Sequence, residues 1–265
     1  DSGASMITLF PQYEGALFKP PPKNNNGKAT SRFYTVNDSP YDRVTSVLNV
    51  INKPALVPWA IRTTTEKFRS VMEDSVNTTI DPVWIEEALQ AAKDYPDEVS
   101  EAAADKGSEI HTAIEEFVDR GVWPADGLIK QCVLAYHEWS RSNPMEPVAS
   151  EFTVWSPTEY YAGTIDEVCL LPNGHYGVID FKTGGAYPEA ALQVAAYANA
   201  LEELTAVPVD SAWILRIPRD QPADGSPQFY TKFMDSEQIQ DNLEAFRNAM
   251  HLQRRLAVKD LWSDG

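Results

Sequence analysis

Apolar positions along this chain switch between a helical period and strict alternation, and the switches divide it into elements. Residues 32–36 (Arg-Phe-Tyr-Thr-Val) alternate as a short strand, and Asn37-Asp38-Ser39-Pro40 reads as a turn. Thr45 or Ser46 is placed to cap a short helix over 47–51. A second helix is expected over 55–72, with Pro58 a point of interruption. Asp81-Pro82 is a helix start, Asp as N-cap and Pro in the first turn, for a helix reaching Tyr95. Pro96 then opens another helix that runs to Arg120 and stops at Gly121, with Ile110, Ile114 and Phe117 on its apolar stripe. A helix over 126–142 carries Tyr136 and Trp139 as core residues. Strands follow over 151–155, 161–171 and 176–182, and then a helix over 188–204. Two more strands, 213–218 and 228–234, flank a polar Pro/Gly loop, and an amphipathic helix over 236–257 closes the chain. With Pro20-Pro-Pro22 and Asn24-Asn-Asn-Gly27 as breakers, residues 1–31 read as a flexible lead-in. The pattern thus divides into that lead-in, an N-terminal strand and helical lobe over 32–100, and a core over 101–265.

Candidate chemistry concentrates in residues 162–197. Two strands end in carboxylates, Gly163-Thr-Ile-Asp166 and Val178-Ile-Asp180-Phe-Lys182, joined through a Pro172-Asn173-Gly174 turn. Strand alternation points Asp180 and Lys182 the same way, with Val178, and sends Ile179 and Phe181 to the other face. A strand covered on both faces is implied. A carboxylate and an ammonium projecting from such a strand are costly unless paired or used. By themselves, Asp180 and Lys182 also fit a structural ion pair at a strand end. Upstream, His111 borders a helical apolar stripe; downstream, Gln193 and Tyr197 share a helix face at i, i+4. Glu151 fits either a secondary acidic group near the site or an edge carboxylate.

The ordered set of His111, Asp166, Asp180-x-Lys182 and Gln193-x-x-x-Tyr197 resembles the RecB-like exonuclease branch of the PD-(D/E)XK nuclease superfamily, with phage-type and mitochondrial genome-maintenance exonucleases the nearest pattern. The likeness spans about residues 103–200 and extends more weakly to Met234. It implies an α/β, restriction-endonuclease-like core, a central mixed β-sheet flanked by helices, plus an N-terminal helical lobe. It further implies a metal-dependent DNA exonuclease in which Asp166, Asp180, His111 and the Phe181 backbone carbonyl hold Mg²⁺ or Mn²⁺. Lys182 would position the attacking hydroxide, Gln193 would bond a phosphate or a water, and Tyr197 would pack under the DNA or contact phosphate. Many superfamily members have Glu where this chain has Asp180, so no metal preference follows. A structure- or sequence-specific endonuclease and a catalytically inactive DNA-binding protein on the same fold are the competing readings.

Composition adjusts this picture. The net charge is −17, which argues against tight non-specific duplex binding by the chain alone. Residues 1–72 nevertheless hold nine Lys/Arg against five Asp/Glu, while 73–120 hold three against fourteen. Trp59, Arg62, Lys67 and Arg69 belong to either a packing helix with a solvated face or an edge that tracks phosphates. An acidic chain also suggests a partner, by analogy a recombination or annealing protein. Cys132 and Cys169 are expected to be buried free thiols, and two cysteines cannot ligate the iron–sulfur cluster some relatives carry. There is no apolar run of membrane-spanning length and no signal-like start, so an intracellular protein without membrane contact is expected.

Overall fold

The alternating stretch around Asp180 forms the middle of a mixed sheet. The computed structural model describes residues 16–24, 29–76, 80–125, 127–217 and 229–258. Its strands are β1 Phe18–Lys19, β2 Phe33–Val36, β3 Ser39–Arg43, β4 Glu146–Ser156, β5 Tyr161–Leu170, β6 Tyr176–Lys182, β7 Val209–Arg216 and β8 Tyr230–Asp235. They form one eight-stranded sheet in the order β1-β2-β3-β5-β6-β7-β8, with β4 also paired to β5. The β3–β5 and β6–β7 pairs are parallel, and the others are antiparallel. The helices are α1 Val44–Val47, α2 Leu56–Asp74, α3 Pro82–Arg120, α4 Leu128–Ser142, α5 Glu189–Thr205 and α6 Ser236–Leu256.

β6 is buried on both faces, as its sequence predicts. Val178 joins a core built with α5 and α6, including Val194, Leu201, Leu243 and Phe246. Ile179 and Phe181 join a second core with Ile110 and Ile114 of α3 and Cys132, Val133 and Tyr136 of α4. Cys132 and Cys169 are both buried, and neither is in a disulfide. α5 lies close on the sheet because its buried positions are mostly alanine: Ala190, Ala195, Ala196, Ala198 and Ala200. α6 starts at a reciprocal cap. Asp235 Oδ1 accepts from Gln238 N at 2.9 Å, and Gln238 Oε1 accepts from Asp235 N at 3.2 Å. Among the described residues, no helix is long and apolar enough to cross a membrane.

Several expectations are corrected. α3 is one helix through Pro96 rather than two. Proline removes one helical donor, and strong helix formers on both sides (Ala88, Ala91, Ala92, Glu98) outweigh that loss. Asp81 does cap it, accepting from Trp84 N at 2.8 Å. Pro58 does not interrupt α2, because it lies in the first turn, where no intrahelical acceptor is required. The short helix starts earlier, at Val44, without a side-chain cap, and Thr45 Oγ1 instead accepts from Arg43 Nε at 2.8 Å. Residues 16–24 include a strand, β1, which pairs with β2. The rest of the expected lead-in that precedes residue 16, and the loop over 218–228, lie outside the described residues.

By compactness the chain divides into Asp1–Ile51 with Ile110–Gly265, and Asn52–Glu109. The sequence pattern draws its boundaries at 32 and 101, and the compact units are divided at 51/52 and 109/110. β2 and β3 pair into the main sheet and belong with the larger unit, and α3 contributes only its residues from Ile110 onward to that unit. In the smaller unit, Thr63, Ala88 and Ala92 are buried, and the Lys67 ammonium lies 4.9 Å from the centroid of the Tyr95 ring. Arg62 and Arg69 are exposed.

Candidate active site at the fork between two strands

The β5–β6 ladder ends at Glu167↔Ile179. Continued one step, that register would set Asp166 against Asp180, but there the ladder stops. Phe181 N instead donates to Asp166 Oδ2 at 2.6 Å, so a side chain replaces the main-chain acceptor. Pairing of β6 with β7 continues to Lys182↔Arg216. The result is a fork whose inner edge carries carboxylates.

β4 has a matching irregularity. Its register with β5 includes Ser150↔Glu167 and Phe152↔Ile165, which leaves Glu151 opposite Asp166 without a ladder pair. Residues facing the first core lie three apart here, Ala149 to Phe152 and Ile165 to Val168, rather than the two that regular alternation requires. Glu151 has φ +47°, a left-handed backbone that costs a non-glycine residue about 1–2 kcal/mol. Glu151, Asp166 and Asp180 therefore occupy corresponding levels of three adjacent strands.

Both faces of the sheet supply further groups. From α3, His111 Nδ1 lies 3.7 Å from Asp166 Oδ1, its ring edge-on to Phe181 at 5.8 Å. His111, Glu151 and Asp166 each offer an atom within 4.8 Å of the others. From α5 comes a network around Asp180, which is 2 % exposed. Lys182 Nζ donates to Asp180 Oδ1 at 3.0 Å and lies 2.8 Å from Oδ2. Gln193 Nε2 donates to Asp180 Oδ1 at 3.3 Å and to Tyr197 Oη at 3.0 Å, while Gln193 Oε1 accepts from Lys182 Nζ at 3.4 Å. Tyr197 is buried over Gly163, where a Cβ would collide with Tyr197 Cε1. That close approach is what a glycine permits.

All eight expected site residues thus lie around one fork, seven of them in two groups and the eighth, Phe181, joined to Asp166 through its backbone N–H. His111, Asp166 and Glu151 form an imidazole–carboxylate group, while Asp180, Lys182, Gln193 and Tyr197 are bonded to one another. The ligand set expected from resemblance included Asp180 and left Glu151 secondary; the geometry puts Glu151 with His111 and Asp166 and Asp180 with Lys182. Glu115, which helical phase suggests is solvent-facing, lines the same recess as His111, Glu151 and Asp166 and is half-buried.

Electrostatics follow from this crowding. Burial, the Asp180 charge and, more weakly, Glu151 hold Asp166 well above the usual carboxylate range, against the opposing pull of Lys182 and the Phe181 N–H. Burial and Glu115 also push Glu151 up. Burial pulls His111 down despite Asp180 and a hydrogen bond to the Phe181 backbone, so its imidazole tends to neutrality. Lys182 is pulled down by burial but raised more by Asp180 and Asp166, so it remains an ammonium.

Sequence pattern gave no sign of a buried pair behind the site. Tyr136 Oη contacts Glu167 Oε1 and Oε2 at 2.9 and 2.8 Å, and Glu167 is 1 % exposed. Burial pushes Glu167 up to about 7 even though the tyrosine bond opposes it. Two residues thirty-one apart, one of them in an apolar helix stripe, carry no pairing signal.

Oxygen donors with one neutral imidazole suit Mg²⁺ or Mn²⁺ better than softer ions, and the like-charge crowding of Glu151, Asp166 and Asp180 against a single lysine is relieved by a cation. The residues fit such an ion. No protein-family model matches the sequence, and no curated protein matches it.

Proposed function

We propose that this chain is a divalent-metal-dependent deoxyribonuclease of the RecB-like PD-(D/E)XK type, acting as an exonuclease on DNA ends or single strands. One observation carries the reading: His111, Glu151, Asp166, Asp180 and Lys182, drawn from a helix and three strands, meet where the β5–β6 ladder stops. A structural ion pair needs only Asp180 and Lys182. The additional carboxylates and imidazole raise the electrostatic cost of this place, and a cation-dependent reaction on a phosphodiester accounts for that cost.

His111, Asp166 and Glu151 would hold the ion, with the Phe181 carbonyl beside them. When bound, such an ion neutralises phosphate charge and acidifies water. Asp180 accepts from Lys182 and Gln193 and so fixes both side chains at the edge of the fork. The Lys182 ammonium is placed to orient a water nucleophile and to offset charge developing on phosphate oxygens. Staying protonated, it acts as a charge and a donor rather than as a base. Gln193 links Lys182 to Tyr197, which is seated on Gly163, so the position of the ammonium is tied to the packing of α5 on β5.

The test is DNA degradation with Mg²⁺ or Mn²⁺ by wild type, Asp180→Asn and Lys182→Ala. Each substitution is expected to lower kcat by about 10²-fold or more, the scale for loss of a preorganised charge at the reacting group. Wild-type cleavage undiminished in folded variants would reject the assignment. Closed circular and linear substrates separate the two modes of attack, because an exonuclease spares the circle.

A further inference from the structure

The turn between β6 and α5, residues 183–188, separates Lys182 from the helix that carries Gln193. Tyr187 lies in it, five residues after Lys182 and six before Gln193. At 57 % exposure it is the most exposed aromatic side chain among the described residues. Its ring rests on Gly185, where a Cβ would come within 3.0 Å of Tyr187 Cε2 and Cζ. The backbone beneath the ring is held from several sides. Arg216 Nε donates to Gly184 O at 3.0 Å, and the Arg216 guanidinium also covers the Tyr230 ring at 5.6 Å. Ile217 N donates to Lys182 O at 2.8 Å, and Ala190 N donates to Tyr187 O at 3.0 Å. A large aromatic face is thus left exposed on a braced turn that begins directly after Lys182.

We propose that Tyr187 is a stacking seat for a base of single-stranded DNA next to the scissile phosphodiester, and that Arg216 is the positioning residue that braces the turn. The proposal rests on the nuclease reading and deepens it by naming the substrate as an unpaired strand or frayed end. A paired duplex keeps its base faces covered, whereas every base of a single strand offers one. Charge supports the same choice. A chain of net charge −17 gains little from long-range attraction to phosphates, and stacking on an uncharged ring does not depend on it.

The experiment measures binding of an oligodeoxynucleotide carrying 2-aminopurine near one end, in single-stranded and duplex form, to Asp180→Asn protein with Mg²⁺. The seat predicts quenching of the single-strand probe. Adding Tyr187→Ala should weaken single-strand binding by roughly tenfold and remove the quench, with the salt dependence unaltered. Tyr187→Phe should preserve both, and duplex binding should not respond to either. Single-strand binding and quenching that persist in Tyr187→Ala would overturn the seat, while wild-type cleavage would still uphold the nuclease reading. Tyr187-dependent binding by a wild type that cannot cleave would support the seat and remove the nuclease. Wild type that neither binds nor cleaves overturns both. The exposure of Tyr187 makes a folding defect easy to exclude by thermal melting.

Discussion

At the residue scale, Glu151 and Glu167 carry the sharpest expectations. Glu151 occupies a left-handed backbone that glycine adopts without penalty. Glu151→Gly should therefore raise stability by about 1 kcal/mol while weakening Mn²⁺ binding, measured by urea unfolding and by calorimetry on one preparation. A variant that binds Mn²⁺ as tightly as wild type would take Glu151 out of the ion site. Glu167 tests the second core. Burial raises its pKa in the folded protein to about 7 from an ordinary glutamate value of 4.5, so the folded form takes up a proton more readily than the unfolded form. Its contribution is most favourable below pH 4.5, is lost as pH rises to about 7, and is then constant. For a fully buried group that difference is on the order of 3 kcal/mol. Glu167→Gln should flatten this part of the stability profile, read as the difference from wild type between pH 5 and pH 8. Tyr136→Phe, which leaves the carboxylate without its donor, should cost about 1–3 kcal/mol at pH 8. That the candidate side chains gather at one place was suggested in sequence only by their order along the chain, which carries the family resemblance, since Asp180-x-Lys182 or a lone helical His111 by itself fits an ordinary structural role. The pairing of Glu167 with Tyr136 was not legible, since nothing local to either residue specifies a partner.

At the element scale, alternation and helical period located all of the longer strands and helices, and the misses share a cause. Pro96 and Pro58 looked like breaks because local propensity counts the lost donor, whereas the flanking turns decide whether it matters. β1 and β3 escaped because a strand of two residues, or one containing Pro40, has no periodicity of its own and exists through its neighbours. The irregularity opposite Asp166 escaped for a related reason, since a phase change on two strands at one level is visible only once they are paired. Packing of α5 on β5 gives a prediction at this scale. Gly163→Ala must push the Tyr197 ring aside, which should destabilise the protein by about 1–3 kcal/mol. The same shift breaks the Tyr197–Gln193 link and should lower kcat more than it raises KM, because Lys182 is displaced rather than removed. Activity equal to wild type in a destabilised Gly163→Ala protein would show that the link does not position Lys182.

At the scale of the whole molecule, the charge distribution sets how DNA would be held. With net charge −17 and few cations at the fork, about two or three phosphates would be neutralised on binding. The logarithm of single-strand affinity should then fall with the logarithm of salt with a slope of roughly −2. A much steeper slope would place an extended basic track elsewhere, for which the exposed Arg62 and Arg69 of the smaller unit are the first residues to neutralise. The eight-stranded sheet also has an unusual boundary, because the last bond joining two of its central strands is made by the Asp166 side chain. That arrangement gives one amide proton an informative position. If cation loading draws Asp166 away from the Phe181 N–H, deuterium should enter that single backbone site faster in loaded protein while its neighbours along β6 stay protected. A spectroscopist could then follow occupancy from inside the fold, with no substrate present.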